Sequence, residues 1–327
     1  MNRNSVFRVL LALVCVLPAS LIAQTCSSGA DLDAATKSAI DAAATQYMNM
    51  SKNGDVAGLK ANAIPGIAGD FGPIEQAVVT NKPYFAEGTA TVTGTYLLDA
   101  SQLKATQRAD FYCGIYNSPE RLSFSINNLP PGKYAVAIQK VNGKEPITLS
   151  LVLQNLGGAW KLAGYYPRLD AIGGHDGQWY LNQARQYKAQ GKLHDAWFYY
   201  LTAWDLTAPV NFMSTPQLDK IAEEMQSARP GDLPSQSAPL SLSANGKVFR
   251  VTELTAVPVE DKLDLRVIYQ SADAANSGLA FQDNMAVIHA IVAKYPELRD
   301  AFDTVIARAV DGSGHEYGSL LPMKEIK

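Results

Sequence analysis

The chain reads as an α+β protein of three units, and three features of its pattern predict this. Apolar residues recur at helical spacing from Asp31 to Met50 and with a period of two from Glu87 onward, so helices precede strands. Trp179 to Pro209 carries small and aromatic residues at offsets that let two antiparallel helices touch. Beyond the Pro- and Ser-rich run Arg229–Pro239, alternation returns and is interrupted by one broad apolar helical stripe. At 327 residues the chain is long enough for two or three cores. The expected units are residues 31–168, three helices and an antiparallel sheet; 176–228, a helical hairpin serving as connector; and 247–327, a small two-layer α+β unit after a linker at 229–246.

Residues 1–23 read as an export signal, with Arg3 and Arg8 ahead of the apolar run Val9–Val16 and a cleavage site at Leu21-Ile22-Ala23. The mature chain then begins at Gln24 and is exported, to the periplasm or the extracellular space. No later stretch approaches the roughly 18 apolar residues of a membrane helix, so no transmembrane segment is expected in the mature chain. Lipid attachment at Cys26 is disfavoured, because Ala23-Gln24-Thr25 lacks the Leu three positions before the cysteine and the Gly or Ala directly before it. Cys15 leaves with the signal. Cys26 and Cys113 remain as a pair in an oxidising compartment, where they are expected to bond and to stabilise the fold by about 4 kcal/mol. A net charge of −3 supplies no basic footprint, which argues against nucleic acid as a partner.

Within 31–168, Leu32, Ala35, Ala39, Ile40, Ala43, Ala44, Tyr47 and Met48 form one stripe of a helix that Asp31 or Asp33 caps and Gly54-Asp55 ends. A short helix from Val56 to Asn62 and a third around Pro73–Val78 follow, the last ending before Pro83. Strands are expected at Glu87–Leu98, Ala109–Tyr116 and Leu122–Ile126. After the Pro130-Pro131-Gly132 turn they resume at Lys133–Val141 and Pro146–Asn155, joined by the hairpin signal Asn142-Gly143, and end with Ala159–Tyr166.

This order, a long first helix and strands that close on GGAWKLAGYYP (157–167), resembles the nuclear-transport-factor-2-like fold. The resemblance implies a curved sheet wrapped around the first helix to form a cone with an interior pocket. In that family the pocket houses isomerase or cyclase chemistry in some members and only binds a ligand or partner in others. Enzymes of the ketosteroid isomerase and SnoaL type need an acid and a base in an apolar pocket, where burial tunes a carboxyl group. Asp110 and Tyr112, two apart on one strand and hence on one face, are the candidate catalytic pair, and Tyr112, Trp160 and Tyr165 the candidate ligand-binding residues. The structural alternative puts Asp110 at a solvated strand edge and Tyr112 in the core.

The central segment places Ala184, Tyr187, Gly191, Ala196, Tyr200, Ala203 and Pro209 at the spacing of a helical hairpin and resembles a single tetratricopeptide repeat. A lone repeat cannot bury both its faces, so its aromatic cluster must rest on something. Trp197 and Trp204 are the candidate partner-binding anchors, the other aromatics being core. A further helix is expected at Thr215–Ala228, capped by Thr215 with Pro216 in its first turn.

In 247–327, strands are expected at Lys247–Ala256, Lys262–Gln270, Thr304–Val310 and Tyr317–Met323, and a helix from Asp283 to Lys294. The four histidines, 175, 194, 289 and 315, show no metal-ligand spacing, and neither a nucleophile elbow nor a phosphate-binding loop occurs. No metal and no cofactor are expected. These observations lead to an exported, non-enzymatic binding or adaptor protein, meeting a protein through the hairpin or a small apolar ligand in the cone. The alternative is an isomerase- or cyclase-like enzyme using the same pocket.

Overall fold

The computed structural model describes residues 24–114, 118–143 and 145–327 and is α+β. The export signal expected at 1–23 and the end of the strand expected at Ala109–Tyr116 lie outside the described residues. The chain opens with β1 (Thr25–Ser28), followed by α1 (Ala34–Asn53), α2 (Val56–Ala61), α3 (Pro65–Gly69) and α4 (Gly72–Ala86). Asp33 caps α1 by accepting from the Thr36 N–H at 2.9 Å, and Gly54 ends it in the left-handed conformation that its missing Cβ permits. Four helices stand where three were expected, and α4 runs through Pro83 to Ala86. Pro83 has no N–H to offer the Val79 carbonyl, so α4 forgoes one ladder bond there and ends three residues later.

The strands β2 (Thr89–Asp99), β3 (Gln107–Cys113), β4 (Leu122–Leu129), β5 (Lys133–Asn142), β6 (Ile147–Leu156) and β7 (Ala159–Leu169) follow as the period-two pattern predicts. They do not form one sheet. β1-β2-β5-β6-β7 make an antiparallel five-stranded sheet, whereas β3 and β4 fold across it as part of a second, smaller one. One face of the large sheet packs on the helices, through Ile40, Ala44, Tyr47, Met48 and Leu59 against Ala135, Leu149, Leu151 and Leu162. The other face packs on the small sheet, through Val136, Ile138 and Val152 against Phe111 and Phe124. A disulfide between Cys26 and Cys113, with Cα atoms 5.1 Å apart, joins β1 to β3 and so ties the two sheets together. No helix among the described residues is long and apolar enough to cross a membrane.

The short pair β8 (Ala171–Ile172) and β9 (His175–Asp176) leads into α5 (Gly177–Ala189) and α6 (Leu193–Thr207), the antiparallel hairpin that the spacing predicts. Gly191 turns it at φ 76°. After α6 the chain runs back to the first unit, where β10 (Met213–Ser214) adds an edge to β4, before α7 (Pro216–Gln226) begins on its Thr215 cap. Thereafter come β11 (Leu240–Ala244), β12 (Lys247–Val259), β13 (Lys262–Gln270), α8 (Ser277–Lys294), β14 (Thr304–Val310) and β15 (Glu316–Pro322), whose strands lie in that order in one sheet. Only β13 and β14 are parallel, and α8 is their crossover.

Three boundaries differ from the expected ones. β11 lies inside the stretch read as linker, 229–246. α8 starts six residues before Asp283: Asn276 caps it by accepting from the Leu279 N–H, while Asp283 pairs with Lys247 at 2.7 Å. The hairpin is also part of the third unit rather than a connector to it. Tyr180, Ala184, Phe198 and Tyr199 share one core with Val267, Ile288, Phe302 and Val305, and Tyr199 donates to the Ala301 carbonyl at 2.8 Å. Two helices joined by a short turn have too little area to bury their aromatics alone, so they borrow the neighbouring sheet and helix.

Candidate functional site

A groove of about 700 Å³ opens between the two sheets of the first unit. Its floor is Tyr134 of β5, Val152 of β6 and Ala163 and Tyr166 of β7. One wall is Ser125–Pro130, the end of β4 and the turn after it; another is Asn211–Ser214, the segment that returns from α6; Ile64 and Ile67 close an end.

Local sequence explains how these side chains come to face one space. A bulge in β7 sets Val152 opposite Gly164 and Leu153 opposite Leu162, leaving Ala163 as the extra residue. Alternation is therefore reset, and Ala163 and Tyr166, three apart, both face the groove while Leu162 and Tyr165 both join the helix-side core. Gly164 is part of the device, since a Cβ there would lie 2.7 Å from Cε2 of Tyr166 and 3.0 Å from its hydroxyl. With no Cβ in the way, the Tyr166 ring lies back over the strand.

The rings continue through the space between the sheets. Tyr166 meets Phe212 edge to face at 5.4 Å, Phe212 lies 6.3 Å from Phe124, and Phe124 meets Tyr96 at 5.2 Å. Burial pushes the phenols of Tyr96, Tyr134 and Tyr166 up, so all three remain neutral hydroxyls at physiological pH. Tyr134 is locked, donating to the Pro130 carbonyl and accepting from Gln154 Nε2, both at 3.0 Å. The Asn211–Ser214 wall is held by main-chain bonds: Met213 and Ser214 pair with Phe124 and Ser123, and the Ser125 N–H donates to the Phe212 carbonyl at 2.9 Å. Val210 just before it is fully buried, and Ser150 Oγ donates to the Pro209 carbonyl.

None of the residues singled out from sequence lines this groove. Asp110 and Tyr112 do share a face of β3, and that face is the outer one: Tyr112 is 72% exposed. Asp110 accepts from Arg108 at 2.9 Å and from Ser125 Oγ at 2.6 Å, and the Arg108 guanidinium, then the Ser125 hydroxyl, hold its carboxyl below the usual range. It is thus a solvated, ion-paired carboxylate, the reverse of a buried acid, whereas Tyr112 is no part of the core. Trp160 and Tyr165 pack in the helix-side core. The Tyr165 hydroxyl is buried without a hydrogen-bond partner, and desolvation pushes it up to about 12.

Trp197 and Trp204 are half-buried against the core that the hairpin shares with the third unit. Each carries a guanidinium over its ring, Arg229 at 5.5 Å and Arg168 at 5.8 Å, so neither stands as a bare anchor. Beside them lies a second polar cluster. His194 bonds through Nε2 to Asp232 and through Nδ1 to Glu297, both at 2.9 Å, and Tyr295 donates to the other Asp232 oxygen at 2.7 Å. The next residue, Asp195, is fully buried with both carboxylate oxygens unpartnered; desolvation, reinforced by the Glu297 charge, pushes it up to about 8. Among the described residues no three His, Cys, Asp or Glu side chains are grouped to hold a metal ion.

The residues that sequence reasoning missed are Tyr134, Tyr166, Phe212 and the amides Asn127, Asn128 and Asn211. Sequence carried a signal for two of these places: Gly164 stands two residues before Tyr166, and Asn127-Asn128 stands one residue before the Pro130-Pro131-Gly132 turn. No protein-family model matches the chain, and no curated protein or solved structure matches it either.

Proposed function

We infer that this is an exported, non-enzymatic binding protein whose ligand sits in the groove between the two sheets of the amino-terminal unit. The observation that carries this reading is chemical: the seventeen residues lining about 700 Å³ include no Asp, Glu, Lys, Arg or His. The volume lies within the roughly 300–1,000 Å³ of small-molecule sites. A hydrolase, isomerase or cyclase requires a group that takes up a proton or attacks, and the lining offers no carboxylate, imidazole, amine or thiol for that work. Asp110, the carboxylate that an isomerase reading would use, is engaged with Arg108 on the outer face of the small sheet. Export is supported by the Cys26–Cys113 bond, because oxidising compartments are where such bonds persist. On this reading the binding space lies on the face of the large sheet opposite the helices, not on the helix side that the nuclear-transport-factor-2-like resemblance implies.

Native mass spectrometry of the mature chain, released gently from the envelope or medium of the producing cell, tests the reading. A non-covalent mass of a few hundred daltons, retained by the wild type and lost on Phe212→Ala, is the expected result. Retention of the same mass by Phe212→Ala and by Tyr166→Ala would refute the assignment to this groove.

A further inference from the structure

We propose that the ligand of this groove is a neutral saccharide of more than one ring, its apolar ring faces resting on Tyr166 and Phe212 and its hydroxyls bonded by Asn127, Asn128 and Asn211. The inference rests on the binding reading above and narrows it to one chemical class.

Three ligand chemistries are disfavoured by the lining. An anion or cation would give up its hydration on entering without meeting an opposite charge, since none of the lining side chains carries one. A wholly apolar ligand, a sterol or an acyl chain, would press against three side-chain amides, desolvating them without return. An extended peptide would bind by adding a strand to an open sheet edge, and the edge that faces the groove is taken: β10 already pairs with Ser123 and Phe124 of β4, and the Ser125 N–H is bonded to the Phe212 carbonyl.

A saccharide matches what is left. Each sugar ring has a C–H face and a rim of hydroxyls that both donate and accept. The groove pairs two half-buried aromatic rings, set edge to face at 5.4 Å, with exposed amides that likewise both donate and accept. Asn127 and Asn128 stand on β4 and Asn211 on the segment that runs beside it, where the Ser125 N–H donates to the Phe212 carbonyl, so the three amides offer partners to hydroxyls along one rim of the sugar. The platform is rigid. Phe212 is pinned by the β10–β4 pairing, and Tyr166 lies over Gly164, where a Cβ would meet its ring at 2.7 Å.

The test uses the mature chain with its disulfide intact. Binding is measured by calorimetric titration with the neutral tetrasaccharides of glucose, N-acetylglucosamine and mannose in their common linkages, with tetragalacturonate as the anionic counterpart, and with tetra-alanine and the apolar dye ANS as other chemistries. At least one neutral tetrasaccharide should bind with a Kd below about 1 mM, and tetragalacturonate should bind at least about tenfold more weakly. Tyr166→Ala and Asn211→Ala should each weaken that saccharide by about tenfold or more; Asn211 is exposed, so its variant keeps the fold and keeps the test decisive if Tyr166→Ala unfolds. Saccharide binding unchanged in Asn211→Ala and in Asn127→Ala overturns the proposal. So does binding of ANS or tetra-alanine, sensitive to Phe212→Ala, with no neutral saccharide bound; in that case the binding reading stands and only the ligand class falls. No binding of any probe overturns both.

Discussion

Replacing Asp195 by asparagine should stabilise the protein, and the gain should grow as the pH rises. Asp195 sits in the first turn of α6 with both oxygens buried and unbonded, and its folded-state value is pushed up to about 8 from an unfolded value of 3.8. The folded chain therefore holds a proton that the unfolded chain releases. Stability from this group is fully present below pH 3.8, falls as the pH rises through the interval, and is exhausted above about 8. At pH 7 the difference of 3.2 units between 7 and 3.8 corresponds to about 4 kcal/mol, an upper bound that relaxation and water entry reduce to about 2 kcal/mol. Asparagine has the same shape and no proton to lose, so Asp195→Asn should match the wild type within about 1 kcal/mol at pH 4. For a unit of this size, about 2 kcal/mol at pH 7 is a Tm higher by roughly 4–8 °C. The assay is thermal unfolding of both proteins by circular dichroism in steps from pH 4 to pH 9. A gap that stays constant with pH, or an asparagine variant less stable than the wild type at pH 8, would refute the reasoning.

Removing the disulfide with the double variant Cys26→Ala and Cys113→Ala should cost about 4 kcal/mol, because the bond closes a sequence separation of 87 residues; urea unfolding checks it, and a midpoint unchanged from wild type contradicts it. Gly164→Ala should leave the protein folded but turn the Tyr166 ring off the strand, seen as an altered near-ultraviolet circular dichroism signal with a stability loss of about 1–3 kcal/mol. Residues 171–327 should fold as a separate fragment and residues 229–327 should not, because the latter lack Tyr180, Phe198 and Tyr199 of the shared core; amide dispersion in proton–nitrogen spectra distinguishes the two, and a well-dispersed 229–327 spectrum would show the hairpin to be a mere connector.

Sequence reasoning worked where the cause of a structure lies within a few residues. The caps Asp33 and Thr215, the left-handed turns at Gly54 and Gly191, and strands β5, β6, β13 and β14 were all legible because a side-chain oxygen, a missing Cβ or a period of two acts locally. The start of α8 was misplaced because Asp283 and Asn276 are both good caps, and the choice fell to Asp283's contact with Lys247 and Asn276's bond to the Leu279 N–H. Tyr165 and Tyr166 show how one residue decides which side of the large sheet a ring joins. Strict alternation places Trp160, Leu162 and Tyr166 on one face, and the bulge at Ala163 reverses that relation, sending Tyr165 to the helix core and Tyr166 to the groove.

Helix and strand content thus followed from composition and period, and the pairing of Cys26 with Cys113 from an export reading that leaves them as the one pair in an oxidising compartment, all properties of the chain read along its length. Which sheet a strand joins did not, nor did the hairpin's place in the third unit's core or the return of Asn211–Ser214 to wall the groove. Those outcomes depend on where apolar area is left uncovered once the elements have formed. Phe198 is covered by Phe302, and Phe124 by Tyr96 and Phe212, across separations that no local pattern encodes.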